Sequence, residues 1–311
     1  MTSIVCLSRS YDLKGEFAGA FQSVAPGVRL LRPDEVEDRS SVRVAFAHDP
    51  APGAFDPYPG LELVCSWGAG VDRLAAHPGL GPQITLCRMI DPGQAEMMAA
   101  FAAYYVTAWH RGMFDYPAQQ ASRLWRQVNW TPNADMPVAV LGYGKMGAAI
   151  GRGLCALGYP VRGWAGTGRV VDGVEVLAGR GGFDDLLRSS AAVINVLPLT
   201  EATEGILDAN AFSLMRSDAI LIHLGRGAQL VEDDLIAALD AGRPGLAALD
   251  VFAREPLPET HPFWAHPKVR VTPHAASTAS NTAVARSVAQ AVTDYLAGRR
   301  PAGIVDRERG Y

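Results

Sequence analysis

The chain has 311 residues, 49% hydrophobic and 19% charged, the balance of an ordinary globular protein with room for two domains. Its net charge of −4, with no block of Lys or Arg, leaves no electrostatic footprint for a nucleic-acid partner. Four scattered cysteines (Cys6, Cys65, Cys87, Cys155) form no CxxC pair, the N-terminus lacks signal-peptide character, and no apolar run reaches membrane-spanning length; together these point to buried reduced thiols, no metal, no membrane and a cytoplasmic location.

In the first hundred residues, short apolar runs alternate with Pro/Gly-rich breaks. Residues 3–7, 41–47, 62–66 and 84–88 read as strands, and 16–24 and 72–76 as helices. Residues 94–111 contain no Gly or Pro and are apolar nearly all round, which predicts one long helix buried between domains or between subunits. A second α/β stretch follows, with strands at 137–141, 161–164, 192–197, 219–223, 245–250 and 269–272 and helices at 146–157 and 232–241. Residues 281–296 are amphipathic and predict a last helix that returns to the first domain. The fold expected is α/β, with two doubly wound parallel-sheet domains and a cleft between them. Residues 1–99 with 280–311 form the substrate domain, and residues 100–279 the dinucleotide-binding domain.

The strand at 137–141 runs into Gly142-Tyr-Gly144-Lys145-Met146-Gly147 and then a helix. In such a G-x-G-x-x-G loop the first glycine permits a tight turn. The second lets the backbone approach a pyrophosphate, and the third lets helix and strand pack closely. The helix N-terminus adds free N–H groups and partial positive charge. After the next strand, Ala165 stands where an NAD-specific site usually carries a carboxylate. Without that carboxylate a 2′-phosphate is tolerated, and Thr167 and Arg169, with Arg162 a weaker candidate, supply possible partners. This favours NADP(H) over NAD(H); Arg169 as a plain surface charge, with both cofactors accepted, is the alternative.

Three further residues each follow an apolar run: Arg226 in LIHLGRGA, Glu255 in LDVFAREPLP and His274 in VTPHAAS. Placed at the carboxyl ends of parallel strands, they fall where open α/β sheets bind ligands. A carboxylate that orients an imidazole, and a cation that grips an anion, suit reduction of a 2-oxo acid by a nicotinamide.

These motifs, with Gly68-Ala69-Gly70-Val-Asp72, Val231-Glu-Asp-Asp-Leu235, Arg254-Glu-Pro-Leu-Pro258, Trp264-Ala-His-Pro267 and the terminal residues 305–311, resemble the D-isomer-specific 2-hydroxyacid dehydrogenases over nearly the whole chain. Within that family the likeness is greatest to the glyoxylate/hydroxypyruvate reductase A type. The resemblance implies that His274 is the acid/base, Glu255 its hydrogen-bonded partner and Arg226 the residue that binds the substrate carboxylate and carbonyl oxygen. It implies that Gly68, Ala69 and Gly70, beside Trp67, form the substrate-carboxylate turn, with the amides of Ala69 and Gly70 as donors. Asp250 would face the nicotinamide amide, with His274 and the Leu224-Gly225 segment close by, and Leu197, Pro198 and Thr203 would line the adenosine side. It further implies small 2-oxo acid substrates and a homodimer. Two departures stand out. Gly166-Thr167-Gly168 replaces much of an Arg-Ser-Arg-like segment, and Trp67 replaces a smaller aliphatic residue, either reshaping the pocket or packing in the core. Rival readings are a sister specificity (formate, phosphonate or a branched 2-oxo acid) or a dinucleotide-sensing interaction protein. A short-chain dehydrogenase is disfavoured because the chain has no Tyr-x-x-x-Lys pair.

Overall fold

The computed structural model describes residues 2–128 and 131–307. Residues 308–311 of the terminal motif lie outside them. The chain divides into two compact units, one of Met1–Pro92 with Ala279–Tyr311 and one of Gly93–Thr278. Residues 93–99, grouped with the first domain in the sequence reading, fall in the second unit. Among the described residues no helix is long and apolar enough to cross a membrane.

The first unit is built on five parallel strands: β1 (Thr2–Ser8), β2 (Val28–Leu31), β3 (Val44–His48), β4 (Leu63–Ser66) and β5 (Thr85–Cys87), in the order β2-β1-β3-β4-β5. This is a doubly wound order. Helix α1 (Leu13–Val24) is capped by Asp12, whose side chain accepts from Gly15 N at 3.0 Å. It buries Leu13, Phe17 and Phe21, residues four apart on one stripe. The last helix of the chain, Asn281–Leu296, starts at the Ser280 cap and buries Val284, Val288 and Val292 in the same core. It therefore belongs to this unit. A short α2 (Asp72–Ala75) follows the Gly68–Gly70 turn.

The second unit opens with α3 (Pro92–His110) and α4 (Tyr116–Ala121). Among the described residues its eight strands are β6 (Val138–Leu141), β7 (Val161–Trp164), β8 (Arg169–Val171), β9 (Val174–Leu177), β10 (Ala192–Asn195), β11 (Ile220–His223), β12 (Leu246–Leu249) and β13 (Val269–Val271). They lie in the order β13-β12-β11-β10-β6-β7-β9-β8, parallel except for the β8–β9 hairpin. Strands β6, β10, β11 and β12 are buried along their whole length, which is why they read as unbroken apolar runs. Helices α5 (Lys145–Ala156), α6 (Gly179–Ser189), α7 (Ala209–Leu214) and α8 (Glu232–Asp240) make the crossovers. From β6 the chain winds toward β7 on one side and toward β10 on the other, so the switch point lies at the carboxyl end of β6.

Helix α3 is not buried all round. Ala102, Tyr105, Val106 and Ala108 face the core, whereas Tyr104 is 60% exposed and Met97 42%. Three cysteines are buried, but Cys155 is exposed, against the expectation of four buried thiols.

Candidate active site

The glycine loop occupies the switch point. Gly142 has φ +98°, and a Cβ there would sit 2.8 Å from the backbone of Val196 and Leu197. A Cβ on Gly147 would overlap the carbonyl oxygen of Gly142. Gly144 instead has open space beside it and is exposed, so this part of the backbone can be approached from outside. Helix α5 starts at Lys145 with no side chain capping its first turn, which leaves its N–H groups for an anion. The side chain of Tyr143 turns inward instead, into space left by Gly151 and Gly163. Lys145 and Met146 flank the open side. These features fit a dinucleotide pyrophosphate.

At the end of β7, Ala165 N donates to Leu177 O at 3.0 Å and presents no carboxylate. Arg169 opens β8 and reaches back over the glycine loop, with Nη2 donating to Tyr143 O at 2.8 Å and Nη1 to Thr167 Oγ1 at 3.3 Å. A cation is thus held beside the glycine loop. Arg162 is turned elsewhere, onto Asp185 at 2.8 Å and Ser189 at 2.5 Å. That removes it from the candidate phosphate ligands.

Across the switch point, Leu197 and Pro198 follow β10. Thr203 is buried, and its hydroxyl donates to Pro198 O at 2.7 Å while accepting from Thr200 N at 2.9 Å. Thr203 therefore shapes this loop from beneath. Beyond β11, Leu224 and Gly225 are buried and Arg226 is half-buried in extended backbone, φ −138°. Its Nη1 donates to Gly225 O at 2.8 Å. Both neighbouring glycines are required. A Cβ on Gly225 would overlap the amide oxygen of Gln229, and one on Gly227 would overlap the backbone carbonyl of Phe252.

That Phe252 backbone carries the next member. Phe252 N donates to Glu255 Oε1 at 3.0 Å, and His274 Nδ1 donates to Glu255 Oε2 at 2.8 Å. Burial raises the Glu255 carboxyl, but the bonds from His274 and Phe252 N, together with the nearby charges of His274 and Arg226, outweigh it and hold the group below its ordinary range. The same bond from Glu255 raises the His274 pKa against the opposing effect of burial. Because Nδ1 is committed, Nε2 is the working nitrogen.

His274 has φ +53°, an uncommon conformation for a residue with a side chain. Asp250 enforces it. Its Oδ1 accepts from Thr272 Oγ1 at 2.6 Å and Ala275 N at 2.9 Å, and its Oδ2 accepts from Ala276 N at 2.9 Å. The Asp250 carbonyl accepts from His274 N at 2.9 Å. The resemblance implies that Asp250 faces the nicotinamide amide; here both carboxylate oxygens are engaged by the chain's own His274 loop.

In the first unit, the carboxylate turn leaves β4 at Ser66, whose Oγ accepts from Gly68 N at 3.2 Å, and Gly68 O accepts from Met89 N at 3.1 Å. Ala69, partly exposed, and Gly70, exposed, complete it. Trp67 lies against the tilted rings of His48, at 4.2 Å between ring centroids, and Tyr11, at 4.7 Å. It also packs on the core of that unit.

A family model described as the NAD binding domain of D-isomer specific 2-hydroxyacid dehydrogenases matches residues 103–276. The chain belongs to this family. It is 37% identical, over 81% of its length and 82% of the relative's, to glyoxylate/hydroxypyruvate reductase A of Yersinia enterocolitica. A D-isomer specific 2-hydroxyacid dehydrogenase of Xanthobacter autotrophicus, solved with NADPH and MES, superposes with a TM-score of 0.93 at 35% identity, over 100% of this chain and 99% of that one. An NADPH-dependent glyoxylate/hydroxypyruvate reductase of Sinorhizobium meliloti, solved with NADP and sulfate, gives 0.92 at 31% identity over 100% of both chains.

For this family member, Arg226, Glu255 and His274 all lie in the second unit at the carboxyl ends of β11, β12 and β13, as the strand pattern predicts. Sequence reasoning did not find the buried residues that hold them: the side chains of His223, Asn195 and Gln229, and the clamping role of Asp250. The one available signal was polarity at the ends of apolar strands, at Asn195 and His223.

Proposed function

We propose that this chain reduces glyoxylate to glycolate and hydroxypyruvate to D-glycerate, with NADPH preferred over NADH. The observation that carries the reading is the Glu255–His274 pair, held at 2.8 Å beside Arg226 at one edge of a sheet whose switch point holds the glycine loop. NADPH, when bound, supplies a hydride to the carbonyl carbon. Protonated His274 gives its Nε2 proton to the carbonyl oxygen and is left neutral. Glu255 keeps Nδ1–H oriented and favours the imidazolium beforehand. Arg226 pairs with the substrate carboxylate. For the turn of the first unit the proposal keeps the role implied by the resemblance: the Ala69 and Gly70 amides bind carboxylate, next to Trp67. Arg169 and Thr167 take the 2′-phosphate, and Leu197 and Pro198 border the adenosine.

Since the His274 pKa is raised, reduction should hold constant at low pH and fall as pH rises through that value; oxidation of the hydroxy acid should fall below it. The deciding experiment follows absorbance of NADPH and NADH separately, with glyoxylate, hydroxypyruvate, pyruvate and a branched 2-oxo acid. Fast NADPH oxidation with the first two is expected. Turnover confined to NADH would refute the cofactor choice, and turnover confined to the branched acid would refute the substrate choice.

The chain is proposed to act as a homodimer in the cytoplasm. The exposed side of α3 and the segment after it carry Tyr104, Met113, Leu124 and Trp125, the last fully exposed, a set of apolar side chains suited to a second copy. Sedimentation at the 33.1 kDa of one chain, rather than twice that, would reject it.

A further inference from the structure

Beneath Arg226 lies a polar cluster that the chemistry above leaves without a task. Asn195 at the end of β10, His223 at the end of β11 and Gln229 just after Arg226 are completely buried. Such side chains are costly unless their polar atoms are paired. Here the pairing runs in a fixed order. His223 Nε2 donates to Arg226 O at 3.0 Å, which leaves Nδ1 as an acceptor, and Asn195 Nδ2 donates to it at 3.0 Å. The same Asn195 nitrogen donates to Gln229 Oε1 at 2.9 Å. Gln229 Oε1 also accepts from Arg226 N at 2.9 Å. On its other side, Gln229 Nε2 donates to Pro198 O at 2.9 Å and Leu197 O at 3.1 Å, while Asn195 Oδ1 accepts from Leu197 N at 3.3 Å.

Both backbone polar groups of Arg226 therefore end in this cluster, and so does the backbone of the Leu197–Pro198 loop. That loop in turn abuts Gly142 of the glycine loop. The donor order does not tolerate reversal. Turning the Gln229 amide over would set its NH2 against Arg226 N–H and the Asn195 NH2, and its oxygen against two carbonyls. A proton added at His223 Nδ1 would face the Asn195 NH2 in the same way. The cluster thus has one arrangement, and that arrangement fixes two loops at once.

We propose that Gln229, oriented by Asn195 and His223, is a positioning residue that sets the Arg226 anion anchor and the Leu197–Pro198 nucleotide loop relative to each other, so that the two sites depend on one amide. The inference rests on reading Arg226 as the substrate anchor and the glycine loop as the nucleotide site. Gln229 touches neither ligand. Its oxygen serves the Arg226 side, and its nitrogen serves the nucleotide side.

Two substitutions separate the arms. Gln229→Met removes both. Gln229→Glu keeps an oxygen for Arg226 N and Asn195 Nδ2 but sets a second oxygen against the carbonyls of Leu197 and Pro198. The probes are NADPH, titrated by its fluorescence, and oxalate, a planar dianion the size of glyoxylate, titrated calorimetrically into enzyme saturated with NADP. For Gln229→Met both dissociation constants should rise by about tenfold, the scale of one lost buried hydrogen bond. For Gln229→Glu the NADPH constant should rise by about tenfold and the oxalate constant should stay within about twofold of wild type. A folded Gln229→Met with a lowered Tm but wild-type constants would reduce the cluster to core packing and overturn the inference. So would a Gln229→Glu variant that weakens both ligands equally. If the Met variant does not fold, the Glu variant carries the test. Wild-type enzyme that binds both probes yet reduces no 2-oxo acid would defeat the functional reading, while the variants' binding constants would still decide this one.

Discussion

Lowering the pH should destabilise the protein through His223, and the size of the effect can be worked out. Burial, the dominant cause, pushes this imidazole from 6.5 to about 4 in the folded chain. In the unfolded chain it returns to its ordinary value. Between the two values the unfolded state binds a proton that the folded state refuses, so stability is full above about pH 6.5 and is lost as pH falls. The gap between the two values corresponds to roughly 3 kcal/mol below pH 4, of which about 2 kcal/mol is lost between pH 7 and pH 5. His48 and His110 are also lowered by burial and act in the same sense. His274 acts in the opposite sense, because its raised pKa gives stability that is present at low pH and lost as pH rises. A variant comparison isolates His223. His223→Gln places an amide nitrogen where Nε2 donates to Arg226 O, and it does not titrate. Urea unfolding followed by tryptophan fluorescence at pH 7, 6 and 5 should show wild type losing about 2 kcal/mol more than the variant. Equal losses would mean that His223 takes up a proton in the fold as readily as outside it, and the one-way donor order described above would be wrong.

His274→Gln should lower kcat for glyoxylate reduction by on the order of 10² to 10⁴ with little change in KM; wild-type turnover would remove His274 from the chemistry. Gly227→Ala should displace the Phe252 backbone that its Cβ would overlap, and with it Glu255, so the high-pH limb of the reduction profile should move to lower pH. An unmoved limb would show that Glu255 does not depend on that packing. Arg169→Ala should raise the Kd for NADPH by about tenfold or more while leaving NADH unchanged, since a charge-assisted bond to phosphate is lost; parallel losses for both nucleotides would make Arg169 a support for the glycine loop through Tyr143 O.

The α/β architecture was legible because buried parallel strands have a simple signature. β11, ILIH, and β10, AVIN, are covered on both faces and read as unbroken runs. What escaped was short or chemically mixed. β2, VRLL, is four residues long, and the glycine-rich α6 has a weak helical signal. The β8–β9 hairpin turns on Asp172-Gly173, both at positive φ, an Asp-Gly signal that was present in the sequence. The hairpin places Arg169 at the start of a strand rather than in a loop, with its guanidinium donating to Tyr143 O of the glycine loop. Arg226, Glu255 and His274 were legible because each carries its own chemistry at a strand end. Their supports were not. A histidine inside ILIH looks like any core histidine until the tertiary fold brings Asn195 and Gln229 to its two sides.

His274 makes the same division of labour visible from the other direction. A residue with a side chain at φ +53° forfeits on the order of 1 kcal/mol relative to ordinary backbone. Packing does not hold it there, because its side chain is 50% exposed. Hydrogen bonds do: three to the Asp250 carboxylate, from Thr272, Ala275 and Ala276, and one from His274 N to the Asp250 carbonyl. Asp250 itself is 2% exposed, so the clamp is shielded from water while the imbedded loop presents its imidazole outward. Fixing an acid/base group by its backbone rather than by covering its ring leaves Nε2 open to a substrate and lets Glu255 alone set the ring's orientation. The exposed imidazole therefore owes its geometry to a carboxylate that need not touch any ligand, just as Arg226 owes its own to Gln229.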